Sequence, residues 1–514
     1  MIPIGPPGPV AQPADPMSRT RWHLRANVPI LSWLVVLVVT TFIHPFVDHA
    51  NWLMVHTLLL GVVTNAILVW SAHFAETLSR SSPTAVQRTW QLVRLGVFNL
   101  AVVAVFLGRM LDVWPVLLLG AIVVGLLIVW HGATIAVRIR SKLANRFAAS
   151  LSYYVAAARF LPIGAGLGAW LAHEPLTSWA ARATLAHASV NLLGWVGLTV
   201  AGTLVTLWPT ILRTKMADNA LLFTKRALPV LLAGVVITAA GALLDQPYLG
   251  AAGIAVYIGG WALATTPWVL EAKQRPPHSY AAWSLLFAGA WLFVSLVWWL
   301  IIWLSNSSMA VIDAEFGAVV PALTAGFAAQ VVIGALSHLG PVVFGGGPFA
   351  ARAAQEVLDR GAALRLTLIN AGLLICLLPV PSVVRVIMST LVLLAYMAFL
   401  PLLVIAYRAA KKARAKDPTK RDRAANLAQI EAAQDPARHR SWLVAGVATI
   451  ALAAAVGIAA DPSALPGRVA SVDGGVAPTG ETTTVQVEAK DMRFHPNSVD
   501  VPAGNRLVIE LKNT

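Results

Sequence analysis

The feature that most constrains this chain is the recurrence of apolar runs about twenty residues long over nearly its whole length. A helical run of that length crosses the roughly 30 Å hydrocarbon core of a bilayer. Lipid offers no partner to exposed backbone groups, so such runs form helices. Thirteen are read: 27–47, 52–75, 92–109, 113–136, 147–172, 184–210, 227–245, 248–270, 281–304, 317–340, 362–379, 382–407 and 442–460. Only 12% of the 514 residues are charged, against about 25% in soluble chains. A soluble multidomain protein is excluded.

The formal charge is +15, but the basic residues sit in short clusters between apolar runs, as in cytoplasmic loops, and not along a nucleic-acid-binding stripe. With the N-terminus in the cytoplasm, the inner connections carry Arg19, Arg21 and Arg25, then Arg80, Arg88 and Arg94, then Arg138, Arg140, Lys142 and Arg146. Further inner clusters follow at 213–226, 273–275, 352–365 and 408–441. The outer connections hold little beyond Arg109 and Arg182. The reading is a multi-pass protein of a bacterial plasma membrane, N-terminus inside, with the segment after 460 outside. Nineteen Trp, many near the ends of runs, fit an interfacial belt. The single cysteine, Cys376, excludes an internal disulfide and a CxxC metal site.

The expected fold class is an all-α polytopic membrane protein followed by the first strands of a β-sandwich. Residues 1–18 are Pro-rich and expected to lack regular structure, 19–407 form a twelve-helix domain, and 408–441 a basic cytoplasmic linker. The thirteenth span, 442–460, anchors an extracytoplasmic linker at 461–482 and a partial β-domain at 483–514. In that last segment Val485 and Val487 alternate with polar residues, Val499 and Val501 follow, and Leu507, Ile509 and Leu511 alternate again after Pro502-Ala503-Gly504. Period two predicts two strands joined by a turn-rich connection. Two strands are marginal in water, so the domain is expected to continue past Thr514.

The run Asp491-Met492-Arg493-Phe494-His495-Pro496, then Val501-Pro502-Ala503-Gly504 and Leu507 to Asn513, resembles the start of a cupredoxin domain. The nearest likeness is to the first domain of multicopper oxidases and copper-containing nitrite reductases. The resemblance implies a copper oxidoreductase whose copper ligands lie beyond this sequence. None transfers to a residue here, and His495 stands outside the ligand positions. The layout resembles bacterial membrane-anchored members with an N-terminal haem–copper-oxidase-like or NnrS-like region. It implies quinol or another electron donor, a small inorganic substrate such as nitrite or oxygen, and a trimer if nitrite-reductase-like.

Ionisable residues within spans are costly and are candidates for function. His44, His49, His56 and His187 fall near the outer face, and His73, His131 and His338 near the inner one. His23, His278 and His439 fall in segments expected to be solvated. His56 and His73 share one span, 17 residues and about 25 Å apart, so they serve different centres. The outer centre is expected to join His56 and His187, with His44 and His49 beside them as copper ligands. The inner one is expected to join His73 with His131 or His338. Imidazole suits copper and haem b alike. The run Ala186 to Gly197 puts His187 and Asn191 on one helical face, and Gly194 and Gly197 permit close helix approach. It resembles the haem–copper oxidase and NnrS group, although the paired His-His of that group is absent. Asn65 and Asn370 are rare polar residues at mid-span, and Gly345-Gly346-Gly347 predicts a turn. A copper-handling or transport protein is the alternative.

Overall fold

The computed structural model describes residues 18–140, 146–173, 176–345, 347–415, 436–460, 479–490, 493–496 and 498–513. The N-terminal tail, the middle of the basic linker and most of the 461–482 linker lie outside these residues.

Among the described residues twelve helices are long and apolar enough to cross a membrane. They are α1 (Arg19–Phe46), α2 (Ala50–Leu78), α3 (Ala85–Met110), α4 (Trp114–Arg140), α5 (Ala148–Leu171), α6 (Ser178–Leu212), α7 (Ala220–Leu243), α8 (Pro247–Gln274), α9 (Tyr280–Ser305) and α10 (Met309–Val343), followed by α13 (Ser382–Arg414) and α14 (Ser441–Ala459). Between α10 and α13 lie two shorter helices, α11 (Gly347–Leu358) and α12 (Ala362–Cys376). Thirteen crossings were expected, and α12 makes the difference. Its 15 residues reach about 22 Å, short of the hydrocarbon thickness. The apolar run continues to 379, but Pro379 and Pro381 end the helix.

The helices ahead of α14 fall into three consecutive groups of four: α1–α4, α5–α8, and α9, α10, α12 and α13, with α11 inserted in the third. The second helix of each group, α2, α6 or α10, holds a wide π-helical segment: Thr57–Val63, Ser189–Gly197 and Ala322–Ala329. In each segment a glycine receives an aromatic ring from the first helix of its own group. A Cβ at Gly61 would lie 2.9 Å from the Trp33 ring, one at Gly194 2.6 Å from Phe160, and one at Gly326 2.6 Å from Trp291.

The first and third groups match atom for atom beyond this. Asn65 Nδ2 donates to Gly61 O (2.6 Å) and to Asn99 Oδ1 (3.0 Å), and Trp33 Nε1 donates to the same Oδ1 (2.7 Å). Gln330 Nε2 donates to Gly326 O (2.8 Å) and to Asn370 Oδ1 (3.0 Å), and Trp291 Nε1 to that Oδ1 (2.9 Å). Both asparagines donate back to the carbonyl four residues earlier, Leu95 O and Leu366 O. Polar atoms deep in a helical bundle need partners inside it, and the two triads supply them identically. The two polar residues noted at mid-span, Asn65 and Asn370, belong to these equivalent triads.

The helices α2, α6 and α10 meet around a central cavity of about 70 Å³, lined by residues including Val63, Trp70, Thr199, Leu204, Ala328 and Leu336. Beyond α10, Gly345 and Gly347 both adopt positive φ and turn the chain into α11, as the glycine run predicts. The helix α11 buries Ala350, Ala354, Val357 and Leu358 along one face.

After α14 the described residues form a three-stranded sheet in the order β2-β1-β3. The strands are β1 (Thr482–Lys490), β2 (Arg493–His495) and β3 (Arg506–Asn513). The strands β1 and β3 pair in parallel from Thr482↔Arg506 to Ala489↔Asn513, and β2 pairs antiparallel with β1. Val499 and Val501 lie outside the strands. Among the described residues these strands form one sheet.

Candidate metal or haem site between His56 and His187

His56 stands at the end of the first helical turns of α2, directly before the π-segment. Its ring stacks on Trp52 (centroids 4.1 Å apart, 22° between planes). Its Nδ1 lies 2.8 Å from Trp52 O. A carbonyl only accepts, so Nδ1 carries the proton and Nε2 keeps a free lone pair.

His187 is held by the same device from another helix. Its Nδ1 lies 2.8 Å from Gly164 O on α5, which again leaves Nε2 as the lone-pair nitrogen. The helix α5 provides the space. A Cβ at Gly168 would lie 2.8 Å from the imidazole Cε1, and one at Gly164 would strike the Asn191 side chain. Asn191, one turn on from His187, donates to His187 O (3.0 Å) and sets its amide nitrogen 3.3 and 3.4 Å from the two ring nitrogens. Asn191 Oδ1 is buried without a partner.

The two rings sit 6.1 Å apart, centroid to centroid, with 35° between their planes. Two imidazoles bound on opposite sides of one metal, at about 2.0–2.1 Å per bond, place their centroids roughly 6.3 Å apart. Both tautomers are fixed by backbone carbonyls, the usual outer-shell support for a ligating histidine. His56 and His187 are the residues that could hold a haem or copper ion here, since imidazole suits both.

His44 and His49 do not join this pair. Both lie exposed, His44 in the last turn of α1 and His49 in the connection to α2. His44 Nδ1 donates to Thr41 O (2.8 Å), and His49 Nδ1 faces the Arg109 guanidinium at 3.4 Å. Among the described residues no three His, Cys, Asp or Glu side chains gather as a metal site. Of the four outer histidines expected together, His56 and His187 lie side by side, and His44 and His49 stand apart from them on the surface.

The inner histidines pair differently from expectation. His73 meets His23, with His23 Nε2 3.0 Å from His73 Nδ1. His131 Nε2 lies 2.7 Å from Ser71 Oγ, whose own proton goes to Ile67 O. His338 lies within electrostatic reach of Arg213 and His278. The reason is the start of α1. It begins at Arg19, so Trp22, His23, Ala26 and Ile30 form one buried face. His23, expected in solvent, is only 1% exposed. The periodic signal is present in Trp22, Ala26 and Ile30, beginning five residues ahead of the run at 27–47. Arg19 Nη2 approaches His73 Nε2 at 3.4 Å. A guanidinium only donates, so His73 Nδ1 carries the proton toward His23, and His23 Nδ1–H is left buried without an acceptor. His439 lies in the helix Pro436–Ala460 that contains α14, and His495 in β2.

The chain matches no protein-family pattern, and no curated protein is similar to it.

Proposed function

We propose that this chain is the membrane portion of a bacterial copper-dependent oxidoreductase, of the multicopper oxidase or copper nitrite reductase type. Its helices would relay electrons from quinol or another donor to an extracytoplasmic cupredoxin domain that reduces nitrite or oxygen. The observation that carries the reading is the His56–His187 pair, two imidazoles on different helices, 6.1 Å apart between centroids, each with Nδ1 donating to a backbone carbonyl. The cupredoxin-like run in 483–514 and the basic bias of the connections support an outward direction. Taken with α12 as a short thirteenth crossing, the positive-inside pattern supports a cytoplasmic N-terminus and β-strands outside.

A haem or copper ion bound here would supply one-electron chemistry. The chain's own residues do the rest. The carbonyls of Trp52 and Gly164 hold each ring in the Nε2-ligating tautomer. Trp52 covers one face of His56 and Asn191 lies against His187, which restricts rotation and limits water. Gly164 and Gly168 let α5 approach closely enough for this packing.

The test is quinol oxidation by full-length chain in proteoliposomes, with an impermeant oxidant outside. Turnover that falls at least tenfold in His187→Ala supports the relay. Copper uptake without quinol oxidation favours the second reading, a metal-handling protein, which the two-coordinate donor set also suits.

A further inference from the structure

The central cavity is a slot with three matching walls. On α2, α6 and α10 the walls run from Val63 to Phe74, from Val196 to Leu207 and from Ala328 to Leu339. On each helix the lining positions stand three, four, seven, eight and eleven residues after the first. Each stripe also begins two residues after the glycine that receives a ring, Gly61, Gly194 or Gly326. All three groups therefore turn an equivalent helix face to one axis.

Eleven residue steps cover about 16 Å of helix. The volume is about 70 Å³, room for roughly five water-sized groups. That is about half of the roughly 150 Å³ that takes a benzene ring. Spread along the stripes, it admits a chain one group wide and no ring.

The walls decide between water and hydrocarbon. Four polar side chains line the slot: Trp70, Ser71, Thr199 and Thr203. Two of them are engaged by the protein. Ser71 Oγ donates to Ile67 O (2.6 Å) and meets His131 Nε2 (2.7 Å). Thr203 Oγ1 donates to Thr199 O (2.7 Å) and accepts from the Tyr154 hydroxyl (3.0 Å). That leaves Thr199 Oγ1 and Trp70 Nε1, both buried without a partner. A buried water needs two to four polar partners, so these two atoms serve one water and not a filled column. The rest of the lining, with the whole α10 stripe, is apolar. An empty slot forfeits the dispersion contacts of its walls. Lipid chains are as apolar as the helices, so closeness of fit decides what enters.

We propose that the slot binds an unbranched alkyl segment, about five carbons of one lipid chain, along the axis shared by the three groups. The segment packs the second helices together beyond their π-segments. Neither His56 nor His187 lines the slot, so the site stands whichever function those residues serve.

The test is native mass spectrometry of the full-length chain purified in detergent. About one lipid should stay bound per chain after repeated detergent exchange, and its mass tells a phospholipid from an isoprenoid quinone. Ala335→Phe puts a ring into the slot and should lower occupancy about tenfold or more, with helicity by circular dichroism unchanged. Val236→Phe, at an exposed position of α7, should retain the lipid. If Ala335→Phe does not fold, Ala335→Val should give a smaller loss of the same sign. No retained lipid, or equal retention in the Ala335 variants, would overturn the proposal. So would a column of separate water peaks along the slot in a cryo-EM map of the wild-type chain in nanodiscs.

Discussion

At His187 three separate atoms determine what one imidazole can do: the Gly164 carbonyl fixes its tautomer, the missing Cβ of Gly168 makes room for it, and Asn191 lies against its ring. Gly168→Ala puts a methyl 2.8 Å from Cε1, and a rigid helix face cannot yield that distance. The ring must turn away from Gly164 O. Metal or haem occupancy is expected to fall ten- to a hundredfold, as for other outer-shell changes, with helicity by circular dichroism unchanged. Asn65→Ala removes hydrogen bonds to Gly61 O and Asn99 from the bundle interior. It should cost about 1–2 kcal/mol by unfolding in mixed micelles, since single interhelical bonds in membranes average about 0.6 kcal/mol. Residue identity alone flagged His56, His187, Asn65 and Asn370, because polar groups in apolar runs stand out. Their partners were less legible. Gly164, Trp52 and Asn99 have no distinctive chemistry until the helices are packed.

Among the elements, hydropathy located the spans well because the bilayer demands length and apolarity and little else. It failed where another constraint ended or extended a helix. Pro379 and Pro381 cut α12 short inside a run that still reads as apolar. Arg19, Arg21 and Arg25 masked the first turns of α1 and with them His23. The three π-segments give no hydropathic signal. Their glycines do mark them in retrospect, since Gly61 and Gly326 each precede an Asn or Gln by four residues and a His by twelve. Gly61→Ala, Gly194→Ala and Gly326→Ala each force a Cβ within 3 Å of a ring. Each should destabilise by about 1–3 kcal/mol, measured by the same unfolding assay, whereas Gly166→Ala, with open space around it, should be neutral. The connection between α8 and α9 carries a pH prediction. Burial, and then Arg213 and Arg275, hold the His278 imidazole below its usual 6.5, against the opposing pull of the Pro276 carbonyl and Asp359. Below pH 6.5 the unfolded chain protonates this ring and the folded chain resists, so stability falls as pH drops. His278→Gln should flatten the decline in Tm between pH 6.5 and 5.5.

Over the whole molecule the organising fact is repetition. Three groups of four helices place their second helices at the centre, and two of the groups keep the same tryptophan, asparagine, arginine and histidine positions. The insertion of α11 lengthens the third group and hides the repeat from a simple comparison of spacings. The proposed site lies where the groups meet and differ. His56 comes from the first group and His187 from the second, whereas the third has Pro321 ahead of its π-segment. The central claim is that these two histidines bind one redox group together. It is tested most directly by a dithionite-reduced minus oxidised absorption spectrum of the purified chain, with metal analysis of the same sample. The account predicts about one haem iron or one copper per chain, lost equally in His56→Ala and His187→Ala and retained in His73→Ala. Neither metal in the wild-type chain, or a metal that survives both substitutions, would contradict it.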